Sequence, residues 1–424
     1  MNPKVSIILT SYNKPALVGK AIESVLRQTV DEWELFIMDD HSNEETVNVI
    51  KQYLDDPRIT YINSFIEDEE RYKKTRYAVL INKAIPLTKG TYISYLTDDT
   101  VYVPKRLEEM VFVFNINAKI DIIYSSQQVK FVNNQLKLLS ERVSRAQRVL
   151  YQAANVVDHC SVMHTRAILE KVREKYGEYW DESPVHWHNG DAAFWERLNT
   201  FQPFHPIDIV LDITYKTPYS FQNLYNNLPI KIPNGTLVKG GDPQVFLIDQ
   251  QQRRLITNEM FTYFKYNLKK IVMIPDPFLY RYVEGPPIDD LTIIPNLRIV
   301  QNEQNKFFYL ENNTKRLIIN ALAFRKFKFS FDEVIKINST LLEHMPQGLP
   351  IYPIVSHNTC LPENKVFIYN SQCSITINCK LHLIDKKILK KFNLLNDCIY
   401  VSRAEMKGFE KGEPISFYFK RFLK

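Results

Sequence analysis

The sequence predicts an α/β fold with a mostly parallel sheet and flanking helices, followed by an array of three small α+β repeats. In the first half, short apolar runs rich in β-branched residues alternate with segments of helical periodicity, which is typical of a parallel sheet. In the second half, a similar pattern returns at intervals of 58, 63 and 64 residues. We therefore expect two domains, over residues 1–225 and 226–424.

The expected elements of the first domain alternate regularly. The first strand is a β-branched run that Ser-Tyr-Asn-Lys-Pro ends, and the first helix begins at Pro15 because proline suits a first helical turn. Strands are expected at 4–10, 33–40, 58–64 and 90–99, and helices at 15–29, 45–54 and 74–85. Ligands of such sheets bind outside the carboxyl ends of the strands, so the polar residues that follow these strands should meet at one edge.

The second half contains an internal repeat that four similar tripeptides mark. They are Leu-Pro-Ile at 228–230, Pro-Pro-Ile at 286–288, Leu-Pro-Ile at 349–351 and Glu-Pro-Ile at 413–415. We expect copies over about 230–288, 289–351 and 352–415, each with a small hairpin, a short helix and a closing turn.

The helices of the first two copies carry aromatic anchors, namely Phe261 and Phe264, and then Phe324 and Phe327. The third copy is weaker, and we align its Val-Phe-Ile-Tyr segment with Val-Phe-Leu-Ile of the first copy. The copies contain no cluster of acid, base and nucleophile. We therefore expect them to position an acceptor or to localise the protein, and not to catalyse a reaction.

Charge divides the chain into an acidic first half and a basic second half. Residues 1–225 hold 26 basic and 30 acidic side chains, a net charge of −4, whereas residues 226–424 hold 28 and 18, a net charge of +10. A basic region can face an anionic polymer, a membrane surface or nucleic acid, and it can also be a solvated lysine-rich face. We see neither a signal peptide nor a run long enough to cross a membrane, and we expect a cytoplasmic protein.

Several classes of function lack their sequence motifs. The five cysteines, at 160, 360, 373, 379 and 398, contain no CxxC pair, so we expect reduced thiols and no zinc site. The chain has no GxxxxGK[ST] phosphate loop and no GxGxxG fingerprint, which disfavours ATPases and dinucleotide enzymes. It has no RNA-binding or helix-turn-helix motif either, so we expect no nucleic-acid partner.

Two adjacent carboxylates, Asp98 and Asp99, end the last of the four expected strands. Two like charges side by side are costly unless positive charge lies near them. A carboxylate pair at the ligand edge of a sheet can hold Mg²⁺ or Mn²⁺ on a diphosphate, because hard cations prefer oxygen ligands. The alternative is a solvated acidic turn.

The ordered motifs of the first half resemble those of the family-2 glycosyltransferases of the GT-A type, and most of all the enzymes of spore-coat polysaccharide biosynthesis in bacilli. The matching segments are VSIILTSYNKPALVGKAIESVLRQT, ELFIMDDHSNEET, KTRYAVLINKAI, GTYISYLTDDTVYVPKRLEEM, DHCSVMH and YWDESPVHWHNGDAAFWERLN. The resemblance covers about residues 3–225 and not the repeats. It implies a GT-A nucleotide-diphospho-sugar transferase fold and a metal-dependent, inverting transfer of a sugar from a UDP- or dTDP-sugar to a surface-glycan acceptor. A location at the membrane periphery or the spore surface would suit that acceptor.

The resemblance implies a nucleotide pocket at the ends of the first two strands. Thr10 and Tyr12 would line the base pocket, with Tyr12 against the base. Asp40 would bond the edge of the uracil or thymine, and Arg71 would contact the nucleotide. From the residues alone, Asp40 could be a turn acid and Arg71 could lie in a solvated loop, and Arg76 competes with Arg71 for the same role.

The resemblance also implies a reaction centre. Asp98 would lie at the ribose and the metal, and Asp99 would ligate Mn²⁺ or Mg²⁺. Asp191 would be the general base that takes the proton of the acceptor hydroxyl, although its place before an amphipathic segment also suits a helix N-cap. His159 and Trp187 are candidates for the acceptor pocket, and ordinary packing is the alternative for both.

Two other functions remain open at this point. The protein could be a non-catalytic polysaccharide- or partner-binding protein, with the repeats as the binding module on a GT-A scaffold. The repeats could also be an assembly module that ties an enzyme to an anionic cell-surface polymer or a partner protein. The presence of both Asp99 and Asp191 favours the enzyme.

Overall fold

The structure is a computed structural model that describes residues 3–418 of the 424-residue chain. The chain divides into two compact units, Met1–Asn223 and Leu224–Lys424, which we call the N-terminal and C-terminal units. The division falls two residues before the boundary at 225 that the sequence pattern favours.

The N-terminal unit is built on one nine-stranded mixed sheet. Its strands are β1 (Val5–Ser11), β2 (Trp33–Asp39), β3 (Ile59–Asn63), β4 (Tyr92–Thr97), β5 (Thr100–Tyr102), β6 (Ile122–Val132), β7 (Leu138–Ser144), β8 (Val162–Thr165) and β9 (His205–Lys216). The order is β3-β2-β1-β4-β8-β6-β9-β5, with β7 beside β6. The first four strands are parallel, as expected, and β6 is parallel to β9. β8, β5 and β7 run antiparallel to their neighbours.

Helices cover both faces of this sheet. They are α1 (Pro15–Leu26), α2 (Glu44–Lys51), α3 (Arg76–Ala84), α4 (Arg106–Ile116), α5 (Arg166–Tyr176) and α6 (Gly190–Asn199), and α7 (Phe221–Tyr225) follows β9. Along β1, Ile8 faces one hydrophobic cluster whereas Ile7 and Leu9 face the other. Both faces of the central strands are therefore buried, which explains why these strands are continuous apolar runs in the sequence.

The C-terminal unit consists of three consecutive modules, each with a sheet of its own. Module 1 has β10 (Thr236–Lys239), β11 (Phe246–Asp249), β12 (Gln252–Leu255), α8 (Asn258–Tyr263), β13 (Val272–Met273) and α9 (Asp276–Leu279). Module 2 has β14 (Ile299–Gln301), β15 (Phe307–Glu311), β16 (Thr314–Leu317), α10 (Ala321–Lys326), β17 (Val334–Lys336) and α11 (Ser339–Glu343). Module 3 has β18 (Val366–Tyr369), β19 (Gln372–Ile377), β20 (Lys380–Ile384), α12 (Lys386–Lys391), β21 (Ile399–Tyr400), α13 (Arg403–Met406) and β22 (Lys411–Ile415).

All three modules share one topology. Three strands form an antiparallel meander, a short helix follows, and the next strand returns parallel to the first strand of the meander. The expected hairpin is thus only part of a larger sheet. The expected alignment of the third copy is wrong by one strand, because Val366–Tyr369 is the first strand of its meander and not the second. Both strands are short apolar runs, so their composition does not distinguish them.

The tripeptides that end in Pro-Ile close the modules. Ile288 pairs with Ile256, Ile351 with Ile318, and Ile415 with Ile384, in each case beside the third strand of the meander. The tripeptide at 228–230 differs, because Pro229 pairs with Phe417 near the end of the chain. The first and last described segments of the C-terminal unit are therefore hydrogen-bonded to each other.

The expectation that all cysteines are reduced is wrong for one pair. Cys360 and Cys379 form a disulfide with their Cα atoms 5.2 Å apart. The fold brings the segment before β18 against the turn between β19 and β20. No cysteine motif in the sequence predicts that these two segments are close. Cys160, Cys373 and Cys398 are buried free thiols.

Replacing a buried leucine of module 2 should destabilise the protein, whereas replacing an exposed one should not. Leu342 on α11 is only 4% exposed, and Leu322 on α10 is 58% exposed. We expect Leu342→Ala to lower the free energy of unfolding by about 2–5 kcal/mol, because it leaves a cavity in the core. Leu322→Ala should change it by less than about 0.5 kcal/mol. Denaturant titration measures both, and equal effects would contradict the module core described here.

Candidate active site

The two adjacent carboxylates lie between β4 and β5, at the carboxyl end of β4. The backbone N–H of Tyr12 donates to Asp98 Oδ2 at 2.8 Å, and the backbone N–H of Asp98 donates to the carbonyl of Thr10 at 3.3 Å. The hydroxyl of Thr97 donates to Asp99 Oδ1 at 2.8 Å. The turn after β1 and the end of β4 therefore meet at one edge of the sheet, where the sequence predicts a ligand site.

Two lysines supply positive charge to this carboxylate pair. Lys14 Nζ lies 3.3 Å from Asp99 Oδ2, and Lys216, the last residue of β9, also acts on Asp99. Burial alone would raise the pKa of Asp99, but the two lysines and the Thr97 hydroxyl outweigh it and lower that pKa. Burial raises the pKa of Asp98, and the charge of Asp99 adds to this effect. The pair therefore holds one firmly ionised carboxylate, Asp99, beside one that protonates more readily.

The oxygens of this pair fit a divalent cation. Carboxylate oxygens are the ligands that Mg²⁺ and Mn²⁺ prefer, and Asp99 is the ionised member. Lys14, which pairs with Asp99, adds a fixed positive charge beside these oxygens. Asp98 and Asp99 are thus the residues that would hold a metal, and a metal there would supply positive charge to a departing diphosphate.

The predicted nucleotide residues converge beside this edge. Arg71 Nη1 lies 2.8 Å from Asp40 Oδ2, and Arg76 Nη2 lies 2.7 Å from Asp40 Oδ1. The guanidinium of Arg71 also lies 4.3 Å from the ring centre of Tyr12. Arg71 and Arg76 therefore both bind the same buried carboxylate, and which of them contacts a nucleotide stays a prediction. Thr10 is buried on β1 and meets this group through the turn that carries Tyr12.

Asp39, which ends β2 next to Asp40, is also deeply buried. Its Oδ2 accepts hydrogen bonds from the backbone N–H of Ser42, the hydroxyl of Tyr61 and the amide of Asn63, each at 3.1 Å. Its Oδ1 is buried and has no hydrogen-bond partner among residues 3–418. Sequence reasoning did not identify this bonding, because its partners come from later segments of the chain.

Asp191 lies in the first turn of α6, and it is not the N-cap. The N-cap position belongs to Asn189, and Asp191 Oδ1 accepts a hydrogen bond from the N–H of Ala192 at 2.9 Å. Burial raises the pKa of Asp191, and the nearby His159 opposes this shift while Asp158 adds to it. The alternative of a simple cap is therefore wrong, and the carboxylate lies among other titratable groups.

Aromatic rings enclose this end of α6. The rings of Tyr77 and His159 are parallel, with centres 6.3 Å apart, and the ring of Trp187 stacks on Phe221 at 5.6 Å. Tyr77 also contacts Trp187, so it joins the two predicted acceptor residues. Within the described chain, His159 Nε2 and Trp187 Nε1 are buried without a hydrogen-bond partner. Each therefore offers an unused polar group.

Asp158, His159 and Cys160 also place three metal-ligating atoms within 4.8 Å of one another. Zinc would need the sulfur as a thiolate. Burial and Asp158 raise the pKa of Cys160 well above its usual value, so the thiol stays protonated. The expectation of no zinc site stays a prediction, and Asp158 acts as a charge on Asp191.

A buried ion pair lies beneath the site, and sequence reasoning missed it. Arg106 Nη1 on α4 lies 3.1 Å from Asp212 Oδ2 on β9, and both side chains are fully buried. Arg106 Nη2 also donates to the carbonyl of Cys160 at 2.6 Å, which fixes the segment that carries His159. A basic residue at a helix start and an acid within a strand have many other uses, so no local pattern distinguishes this pair.

Comparison with known proteins identifies the family. The model of "Glycosyl transferase family 2" matches residues 6–177. Protein CgeD of Bacillus subtilis (strain 168) is 43% identical over 430 residues, which cover 100% of this chain and 98% of that protein. The putative colanic acid biosynthesis glycosyl transferase WcaA of Escherichia coli (strain K12) is 38% identical over 107 residues, 25% of this chain and 36% of that protein.

Two solved structures show weaker similarity. TarS of S. aureus matches with a TM-score of 0.39 and 13% identity, covering 51% of this chain and 38% of that one. The mannosyltransferase PcManGT from Pyrobaculum calidifontis, in complex with GDP-Man and Mn²⁺, matches with a TM-score of 0.35 and 13% identity, covering 51% and 57%. With its family model and a relative that is similar over the full length, the chain belongs to glycosyl transferase family 2.

Proposed function

We propose that this glycosyltransferase moves a sugar, with inversion, from a UDP- or dTDP-sugar to a hydroxyl of a surface-glycan acceptor. One observation carries the proposal, namely a continuous series of interacting charges from the carboxylate pair to the candidate base. Asp99 interacts with Lys216, Lys216 with Asp158, and Asp158 with Asp191. A transferase needs both a diphosphate site and a base at one reaction centre, and this series connects them.

Asp191 is the proposed general base. In its ionised form it takes the proton of the acceptor hydroxyl while that oxygen bonds to the anomeric carbon. The bond from this carbon to the diphosphate breaks on the opposite face, and its electron pair leaves with the diphosphate. Burial raises the pKa of Asp191 toward neutrality, which makes it a better base than an exposed carboxylate. The enclosing rings of Tyr77 and Trp187 keep water from competing with the acceptor.

Asp98 and Asp99 are the proposed donor and metal residues, with Mn²⁺ or Mg²⁺ as the ion. Lys14 and Lys216 add fixed positive charge beside them, and they can stabilise the negative charge that grows on the diphosphate. The base of the nucleotide is proposed to lie near Tyr12 and Arg71, and Asp40 holds Arg71 in place.

The setting of the reaction is also a proposal. Among residues 3–418, no helix is long and apolar enough to span a membrane. We propose that the enzyme works in the cytoplasm or at the periphery of a membrane or spore surface, where its basic C-terminal unit can meet an anionic polymer or a partner protein. The alternative is a non-catalytic binding protein. Such a protein would have the same fold, but Asp191 would have no catalytic role in it.

Nucleotide binding tests the donor site. We expect UDP or dTDP to bind in the presence of Mn²⁺, and binding to weaken at least about tenfold with EDTA or in Asp99→Asn. EDTA removes the cation that would hold the diphosphate, and Asp99→Asn removes a proposed ligand of that cation. Asp55→Asn, at an exposed position of the same unit, is the matched control. Isothermal titration calorimetry measures these affinities, and the tighter nucleotide names the donor class. No binding of either nucleotide by the folded wild type would refute the proposed donor site.

Transfer kinetics test the base. Asp191→Asn should lower kcat by about 10²–10⁴-fold and leave the affinity for the nucleotide unchanged. The raised pKa of Asp191 also predicts that kcat in the wild type falls as the pH drops through a value above the usual carboxyl range, because the protonated form accepts no proton. A transfer assay that measures kcat of both proteins from pH 4 to pH 8 checks both expectations. A variant that keeps full activity would exclude Asp191 as the base.

A further inference from the structure

The three modules of the C-terminal unit line a common cavity of about 120 Å³. A single buried water needs about 10–15 Å³ by the same measure, so the cavity has room for a small molecule or for several waters. All of its lining residues lie between 235 and 397, within the C-terminal unit. Each module contributes the same parts to it, namely the start of its first strand and the short turn before its fourth strand.

The turns before the fourth strands bring three charged residues together. These turns end at Lys270, Glu333 and Asp397, which occupy equivalent positions in the three modules. Lys270 Nζ lies 3.2 Å from Glu333 Oε1 and 3.7 Å from Asp397 Oδ2. Lys270 is therefore the ion-pair partner of both carboxylates of the cavity.

The starts of the first strands contribute two further cations. Arg298 and Lys365 are equivalent residues of modules 2 and 3. The guanidinium of Arg298 lies 4.3 Å from the ring centre of Tyr266, and Lys365 Nζ lies 4.2 Å from that of Phe329. Within residues 3–418, neither cation has a carboxylate oxygen within ion-pair distance. The aromatic faces hold the two cations in place and do not neutralise them.

The cavity thus has an excess of positive charge and an unused donor. Four cationic residues, Lys265, Lys270, Arg298 and Lys365, line the cavity with two carboxylates. Burial lowers the pKa of Lys365 to about 8, although Asp397 and Glu333 act in the opposite direction. The hydroxyl of Tyr266 is buried and has no hydrogen-bond partner in the part of the chain that the structure describes. Buried charges and donors are costly unless they are paired, so the groups present favour a negatively charged guest.

We propose that this cavity binds one compact oxyanion, a phosphate or carboxylate group, between Arg298 and Lys365, with the Tyr266 hydroxyl as a further donor. The group can be free in solution or can belong to a charged glycan. The repeats then have a function of their own, which is the recognition of an anionic ligand at the point where all three modules meet. This site does not depend on the proposed donor site or on Asp191.

Calorimetry on the full-length protein tests the proposal. With excess UDP present to fill the donor site, inorganic phosphate and D-glucuronate are each titrated in chloride buffer at constant ionic strength. We expect at least one of them to bind, and Lys365→Met to weaken that binding at least about tenfold. Lys390→Met, at an exposed position of module 3, should bind like the wild type. Phosphate alone would identify a phosphate group as the ligand, and glucuronate alone would identify an acidic sugar.

Thermal unfolding separates a binding site from a structural ion. Without added anion, Lys365→Met should unfold at the same temperature as the wild type or higher, because it removes a half-buried charge that has no carboxylate partner. The anion that binds should raise the unfolding temperature of the wild type and of Lys390→Met, and not that of Lys365→Met. Failure of the folded wild type to bind either anion would overturn the proposal. A lower unfolding temperature of Lys365→Met in chloride, with no effect of either anion on the wild type, would make Lys365 a structural residue.

Discussion

Two carboxylates side by side at the end of a buried strand are tolerated only if positive charge is brought to them, and much of the N-terminal unit meets this constraint. Lys14 comes from the turn before α1, and Lys216 comes from the far end of β9. β9 reaches this point because it pairs in parallel with β6 and antiparallel with β5. β8 is antiparallel to both β4 and β6, so β6 and β9 run in the same direction as β4, and the carboxyl end of β9 lies at the same edge as that of β4.

The buried pair of Arg106 and Asp212 is a second case in which a buried carboxylate is matched by a positive charge, and it lies beneath the site. Replacing a buried ion pair with apolar residues often costs little, but removing one partner is costly, so such a pair contributes more to specificity of position than to stability. Here it joins α4 to β9 and also holds the carbonyl of Cys160. The segment with Asp158 and His159 is thereby fixed against the strand that carries Lys216. The Arg106–Asp212 pair and the bond from Arg106 to the Cys160 carbonyl thus hold the charged residues of the site in fixed positions.

The sequence predicted well what depends on local pattern. Apolar runs located β1 to β4, and the position of polar residues after them located Thr10, Tyr12, Asp40, Asp98 and Asp99 at one edge. It predicted poorly what depends on contacts between distant segments. Asp212 is 106 residues from Arg106, and Lys216 looks like any other lysine at a strand end. The disulfide of Cys360 and Cys379 was missed for the same reason, because the fold, and no cysteine motif, brings the two residues together. The strand alignment of module 3 was missed because similar short apolar runs occur in each meander.

The pairing of Pro229 with Phe417 has a consequence for how the C-terminal unit can evolve. In an open array of repeats, a copy can be gained or lost at either end, because terminal copies are capped separately. Here the segment before the first module is bonded to the segment after the third, so no end is free to accept another copy. Duplication or deletion of one module would separate these two segments. The closed pairing therefore disfavours a change in the number of modules and favours divergence by substitution within each copy. Modules 1 and 2 each carry a buried ion pair in the meander, Asp249–Arg254 and Glu311–Arg316, whereas module 3 has Ile377 and His382 at these positions.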